Sequence, residues 1–174
     1  MYKLITFVFR IFHLPLFIRK KISKGFICGR MFVTKISGNL KIQMNCTFRN
    51  FCFLLVTKGA ELHIGADCFF NNNCSINCNS YIEIGDNCIF GENVKLYDHN
   101  HNYKTNELVK DATLINKPIF IGSNNWFGSN VVILAGVKIG NNCVVGANTT
   151  VYKDIPSNTL LLQNGIQKKI LKEC

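Results

Sequence analysis

Apolar side chains recur along this chain every six positions. The series reads Ile42, Phe48, Leu54; Ile64, Phe70, Ile76; Ile84, Phe90, Leu96; then, after a gap, Ile121, Phe127, Ile133 and Ile139, Val145, Val151. The next residue is glycine at Gly65, Gly85, Gly91, Gly122, Gly128, Gly140 and Gly146. Four residues after a hexad start stands a small or β-branched side chain, such as Cys68, Cys74, Val94, Val131, Val137 or Thr149. A beat of six fits neither the helical period of 3.6 nor a heptad. It predicts a parallel β-helix, in which a hexad is one short strand plus one tight corner and three hexads close a triangular coil.

The steps between coils locate the irregularities. From Ile121 to Ile139 the step is 18 residues, the bare coil, whereas Ile42 to Ile64 is 22 and Ile64 to Ile84 is 20. The longer steps place small corner insertions near Lys58-Gly59 and Asn79-Ser80. Ile84 to Ile121 is 37 residues, and the excess falls in a polar, off-beat loop over 98–117. So long a loop in so regular a frame is expected to be functional. The pattern predicts about five coils over 37–156, closed by Ile155-Pro156, and a short tail over 157–174.

The arm before the coils, 1–36, follows a different rule. Leu4, Val8, Ile11, Phe12, Ile18 and Ile22 recur at helical spacing, with Lys3, Thr6, Arg10, His13, Lys20 and Lys24 opposite. This predicts a basic amphipathic helix over 2–24, kinked at Pro15. Arg10 and Arg19 leave apolar runs well short of the roughly 20 residues that span a bilayer. No small-residue cleavage site follows a clean apolar stretch, which argues against a signal peptide. Two roles stay open: a cap on the first coil, or a helix in the headgroup layer of an anionic membrane, to which Tyr2, Phe7, Phe9, Phe12 and Phe17 are suited.

Composition narrows the picture further. The 174 residues suit one domain, and 48% hydrophobic against 17% charged residues excludes a disordered chain. Asparagine runs such as Asn71-Asn72-Asn73, Asn124-Asn125 and Asn141-Asn142 fall at expected corners, where a left-handed backbone favours Asn and Gly. Of the nine cysteines, Cys46, Cys52, Cys68, Cys74, Cys88 and Cys143 occupy the small inward slot. There a free thiol packs as a compact apolar group. No CxxC pair suggests a zinc ribbon, no metal is expected, and reduced core thiols fit a cytoplasmic protein. The net charge is +10, but residues 1–35 hold eight basic and no acidic side chains, leaving twelve and ten for the rest. The charge therefore belongs to the arm, and nucleic acid is not expected as a partner.

The stretch Pro118-Ile119-Phe120-Ile121-Gly122, the hexads from Trp126-Phe127-Gly128-Ser129-Asn130 to Ile133, and the closing Val151-Tyr152-Lys153-Asp154-Ile155-Pro156 closely resemble the hexapeptide-repeat acyltransferases. Among these the chain is most similar to the sugar O-acetyltransferases, including those that decorate bacterial surface polysaccharides. The resemblance covers roughly 37–156 and implies a mainly-β, left-handed parallel β-helix that assembles as a homotrimer. It implies acetyl-CoA as co-substrate, bound between two prisms, and a glycan acceptor. Cytoplasmic surface-glycan synthesis follows as the expected setting; the basic helix adds, under its headgroup-layer role, peripheral contact at the inner face of the membrane through 1–24.

The resemblance also assigns residues. The family's histidine opens the long loop, where Asp98-His99-Asn100-His101-Asn102-Tyr103 stands, and His101-Asn102-Tyr103 matches best. His101 is thus the expected general base and His99 the competitor, since two residues apart on an extended segment point the same way. A sugar hydroxyl is barely ionised at neutral pH, and imidazole suits the removal of its proton during attack on a thioester. Trp126, Asp98 and Tyr103 are expected at the acceptor, although Asp98 also suits orienting a histidine. Ser129 and Ala147 are expected along the pantetheine arm, with Lys153, Lys168 and Lys169 near the phosphates. The tail reads Gln163-Asn164-Gly165-Ile166-Gln167-Lys168-Lys169, which departs from the family's Gly-x-Pro-Ala-Lys. An antibiotic or other small-molecule acceptor is the alternative on the same fold. A γ-class carbonic anhydrase would need three zinc histidines, with His63, His99 and His101 available, and the Lys-Asp-Ile-Pro ending argues against it.

Overall fold

A computed structural model describes residues 25–104, 108, 111–165 and 167–169. The helix expected over 2–24 lies outside the described residues. What is described is a parallel β-solenoid whose short strands fall into three sheets, each strand pairing with its counterpart one coil away. The first sheet holds Ile27–Cys28, Thr47–Phe48, Phe69–Phe70, Ile89–Phe90, Trp126–Phe127, Val144–Val145 and Thr159–Leu161. The second runs from Val33–Ile36 through Phe53–Val56, Ser75–Cys78, Lys95–Tyr97 and Val132–Ile133 to Thr150–Val151. The third runs from Asn39–Ile42 through Glu61–Ile64, Tyr81–Ile84 and Ile119–Ile121 to Lys138–Ile139.

Seven parallel passes through the first sheet make six turns, one more than the hexad count predicts. The additional coil begins at Ile27, ten residues before the expected start. Its strands pair Cys28 with Phe48 and Thr34 with Leu54, so Cys28 and Thr34 stand where later coils carry a large apolar residue. That substitution hides the beat in the sequence. At the other end the tail joins the sheet: Gln167–Lys169 pairs antiparallel with Thr159–Leu161.

The hexad starts form the core. Phe48, Phe70, Phe90 and Phe127 are almost fully buried and stack in one column, with ring centroids 4.3, 4.4 and 4.8 Å apart. Ladders of equivalent side chains follow from in-register parallel pairing, which sets like residue over like. Of the twelve non-glycine residues with positive φ among those described, ten are Asn or Asp, each at a corner directly before an inward slot. Their side chains bond from coil to coil: Asn93 Nδ2 donates to Asn130 Oδ1 at 2.8 Å, and Asn130 Nδ2 to Asn148 Oδ1 at 3.0 Å. The corner role of asparagine read from the sequence is thus observed.

The cysteines behave as expected of core residues. All eight described are free and buried. Their S–H groups donate to carbonyls of the neighbouring coil, as from Cys46 to Gly65 at 3.0 Å and Cys74 to Gly91 at 3.1 Å. Burial, with the Asp98 carboxylate beside it, pushes the Cys78 thiol up to about 12. Thiolate is the reactive form. Not every thiol is shifted upward, since neighbouring thiols lower Cys52 and Cys88, but all eight are buried. The folded chain should therefore give no reaction at these positions with an aromatic disulfide reagent, and all nine cysteines should react after denaturation. Rapid native labelling of two or more would contradict this packing.

Candidate functional site

The long loop leaves the solenoid at the edge between the second and third sheets, and its first residue decides the local geometry. Tyr97 pairs with Asn77 in register, so Asp98 lies over Cys78, an inward position. Alternation along this strand places a carboxylate where the coil below holds a core residue, and Asp98 is fully buried. It is satisfied by the turn beneath. Asn79 N donates to Oδ1 at 2.8 Å, while Ser80 N and Tyr81 N donate to Oδ2 at 2.6 and 3.0 Å, with the Ser80 hydroxyl at 3.2 Å. The corner insertion near Asn79-Ser80 is what supplies this cradle.

Asp98 Oδ1 also lies 3.0 Å from His99 Nδ1. An ionised carboxylate only accepts, so Nδ1 is the donor in this contact, which in the neutral imidazole leaves the lone pair on Nε2. The edge of Tyr97 packs against the same imidazole at 6.3 Å and 87°. His99 is about one-fifth exposed, which leaves one ring edge open to solvent. Its strand, His99–His101, folds back on Leu114–Asn116 as an antiparallel hairpin pairing His99 with Asn116 and His101 with Leu114. Asn79 Nδ2 donates to Asn116 Oδ1 at 2.9 Å and Thr57 Oγ1 to Asn79 Oδ1 at 2.8 Å, which ties the hairpin to two coils.

His101 and Tyr103 stand further out on the hairpin, and both are exposed. Asp98, expected at the acceptor, is fully buried and has its contact with His99. The residues that sequence reasoning missed are Tyr97, Asn79, Ser80 and Asn116. A signal for the cradle existed: an acid at a slot where coil alternation demands an apolar side chain.

The expected coenzyme residues divide: Lys153, between Val151 of the second sheet and Ile155 bridged to Ile139 of the third, lies on the hairpin's edge, and the others lie away from it. Ser129 and Ala147 stack one coil apart at the edge between the first and second sheets, where Asn148 N donates to Ser129 O at 2.9 Å. Gly128 makes the stacking possible, since a Cβ there would lie 2.5 Å from Ala147 N. Gly146 and Ala147 line a shallow groove with Leu162, Gln163 and Asn164, the turn that leads to Lys168 and Lys169. Lys169 is exposed. Trp126 projects from the first sheet between Ile89 and Val144 and is 54% exposed. Lys153 is exposed on the closing turn, with its Nζ 5.6 Å above the Tyr152 ring. The histidine hairpin and the Ser129–Ala147 edge therefore flank opposite margins of the second sheet. The strand Lys95–Tyr97 of that sheet lies between them, about 10 Å of extended chain. One chain does not unite them.

These features define a hexapeptide-type parallel solenoid carrying a carboxylate-oriented imidazole on its one long loop. The repeat family described as bacterial transferase hexapeptide (six repeats) matches residues 118–153. Over those residues the chain carries the repeat of that family. It is similar to the galactoside O-acetyltransferase of Escherichia coli (strain K12), 39% identical over 115 residues, covering 66% of this chain and 55% of that protein. The chain thus spans about half the length of that relative. A solved galactoside acetyltransferase in complex with coenzyme A superposes with a TM-score of 0.65 at 28% identity, covering 97% of this chain and 78% of that one. A hexapeptide-repeat acetyltransferase from Vibrio cholerae O1 biovar eltor, complexed with acetyl-CoA, gives a TM-score of 0.55 at 27% identity, covering 88% of this chain and 72% of that one.

Proposed function

We propose that this protein transfers acetyl from acetyl-CoA to a sugar hydroxyl, with a bacterial surface polysaccharide or its lipid-linked precursor as acceptor. The observation that carries the reading is the buried Asp98 pinned against His99 on the one long loop of a hexapeptide solenoid. His99, rather than His101, is the general base, because its partner fixes both the tautomer and the ring orientation. Its Nε2 takes the hydroxyl proton as the sugar oxygen bonds to the thioester carbonyl carbon. The tetrahedral adduct then collapses, the C–S bond breaks, and the imidazolium returns the proton to the departing thiolate. Direct attack by the sugar hydroxyl needs no covalent enzyme intermediate on this route. Asp98 is a positioning residue and Tyr103, His101 and Trp126 contact the acceptor.

The coenzyme lies along Ser129 and Ala147, with Lys153, Lys168 and Lys169 toward its phosphates as point charges. Because hairpin and groove stand at opposite margins of one sheet, the working site is assembled between chains of a homotrimer. The named relatives that bind coenzyme A or act on galactosides support the reading through their likeness. The setting is the cytoplasm, with contact at the membrane's inner face. Ala147→Trp tests the coenzyme path: the indole fills the groove, so acetyl-CoA affinity measured by calorimetry should fall at least about 100-fold while the unfolding midpoint holds. Unchanged affinity would remove the groove from the account, and a wild-type chain that binds no acetyl-CoA would overturn the reading.

A further inference from the structure

Two corners break the asparagine rule. Met31 at φ 52° and Phe51 at φ 60° hold the left-handed conformation that every other such non-glycine corner among the described residues gives to Asn or Asp. For bulky side chains this conformation is an outlier. They occupy the same edge on consecutive coils, where Phe51 N donates to Arg30 O at 2.9 Å. Neither side chain gains burial in return: Met31 is 66% and Phe51 58% exposed. Ile27 and Val33 flank the edge on the first and second sheets, also exposed at 43% and 47%. Around them stand the exposed Arg30, Lys35 and Arg49. Residues 25–60 carry five basic side chains, Arg30, Lys35, Lys41, Arg49 and Lys58, and no acid; the first acidic residue of the chain is Glu61.

We infer that this edge of the first two coils is a docking surface for an anionic lipid bilayer, with Met31, Phe51, Ile27 and Val33 entering the headgroup layer and Arg30, Lys35 and Arg49 pairing with lipid phosphates. Apolar anchors ringed by cations with no acid among them match such a surface in both of its attractions. The unrelieved corner conformation marks the display as something other than a folding requirement. The inference deepens the membrane-side acceptor proposed above by assigning the contact to the solenoid itself, beyond the amphipathic segment 2–24.

The test uses the full chain and flotation with vesicles of equal parts phosphatidylcholine and phosphatidylglycerol. The wild type co-floats with these, is left behind by phosphatidylcholine alone, and is released by salt. Met31→Asn with Phe51→Asn installs the residue the other corners use, so the variant should unfold at a higher temperature while its vesicle affinity falls about tenfold or more. Replacing Arg30, Lys35 and Arg49 with Gln should weaken binding about fivefold per cation removed. Vesicle binding unchanged in both variants would assign the contact elsewhere and overturn the inference. So would a wild type that never co-floats, or a corner variant whose oligomeric mass drops, since the edge would then join copies of the chain. Acetyl transfer to a soluble acceptor, run in parallel, separates this result from the fate of the enzymatic reading.

Discussion

Replacing His99 with alanine lowers kcat for acetyl transfer about 10²–10⁴-fold, the range that a positioned general base contributes, and leaves the affinity for acetyl-CoA near the wild-type value. His101→Ala has the smaller effect, expressed mainly in KM for the acceptor. The difference comes from their partners and not from their residue type. His99 Nδ1 is held at 3.0 Å by a carboxylate that cannot move, because three backbone amides grip it from the coil below. His101 is exposed two pairs further along the hairpin, opposite Leu114. Steady-state rates for the two variants on one acceptor check this. A collapse in His101→Ala with activity retained in His99→Ala would reverse the assignment.

Asp98→Ala is expected to damage the fold as well as the reaction. The change leaves the amides of Asn79, Ser80 and Tyr81 without their acceptor. Partly buried amides that lose a partner cost about 1–3 kcal/mol each when fully desolvated. With water reaching part of the turn, the net loss should be about 2–4 kcal/mol of unfolding free energy. Denaturant unfolding measures this loss directly. Its kinetic signature separates positioning from bulk structure: in the fraction that remains folded, kcat should drop to near the His99→Ala level while acetyl-CoA affinity is kept. An Asp98→Ala chain with the wild-type unfolding midpoint would contradict the cradle.

The regular part of the molecule was legible because each coil repeats the same physical demands. A left-handed corner selects Asn, the slot after it admits only a small group, and the strand that follows turns a large apolar residue inward; Asn87, Cys88 and Phe90 satisfy all three in order. The first coil escaped notice because its Cys28 and Thr34 replace the large residues that mark the beat. The choice between His99 and His101 was not legible either. Spacing puts both on one side of an extended segment, and only the register of Tyr97 with Asn77 turns Asp98 inward, where it can hold one imidazole and not the other. The separation of the histidine hairpin from the Ser129–Ala147 groove likewise depends on which edge of the prism each hexad turns, a three-dimensional fact that a one-dimensional beat does not carry.

The central claim is that the solenoid is an acetyltransferase whose chemistry runs through His99. Transfer of labelled acetyl from acetyl-CoA to a panel of bacterial glycans, with wild type and His99→Ala side by side, tests it most directly. The account predicts label on at least one glycan with the wild type and near-background label with the variant, although both bind acetyl-CoA. Transfer that survives in His99→Ala, or a wild type that binds acetyl-CoA and labels no glycan, would contradict it.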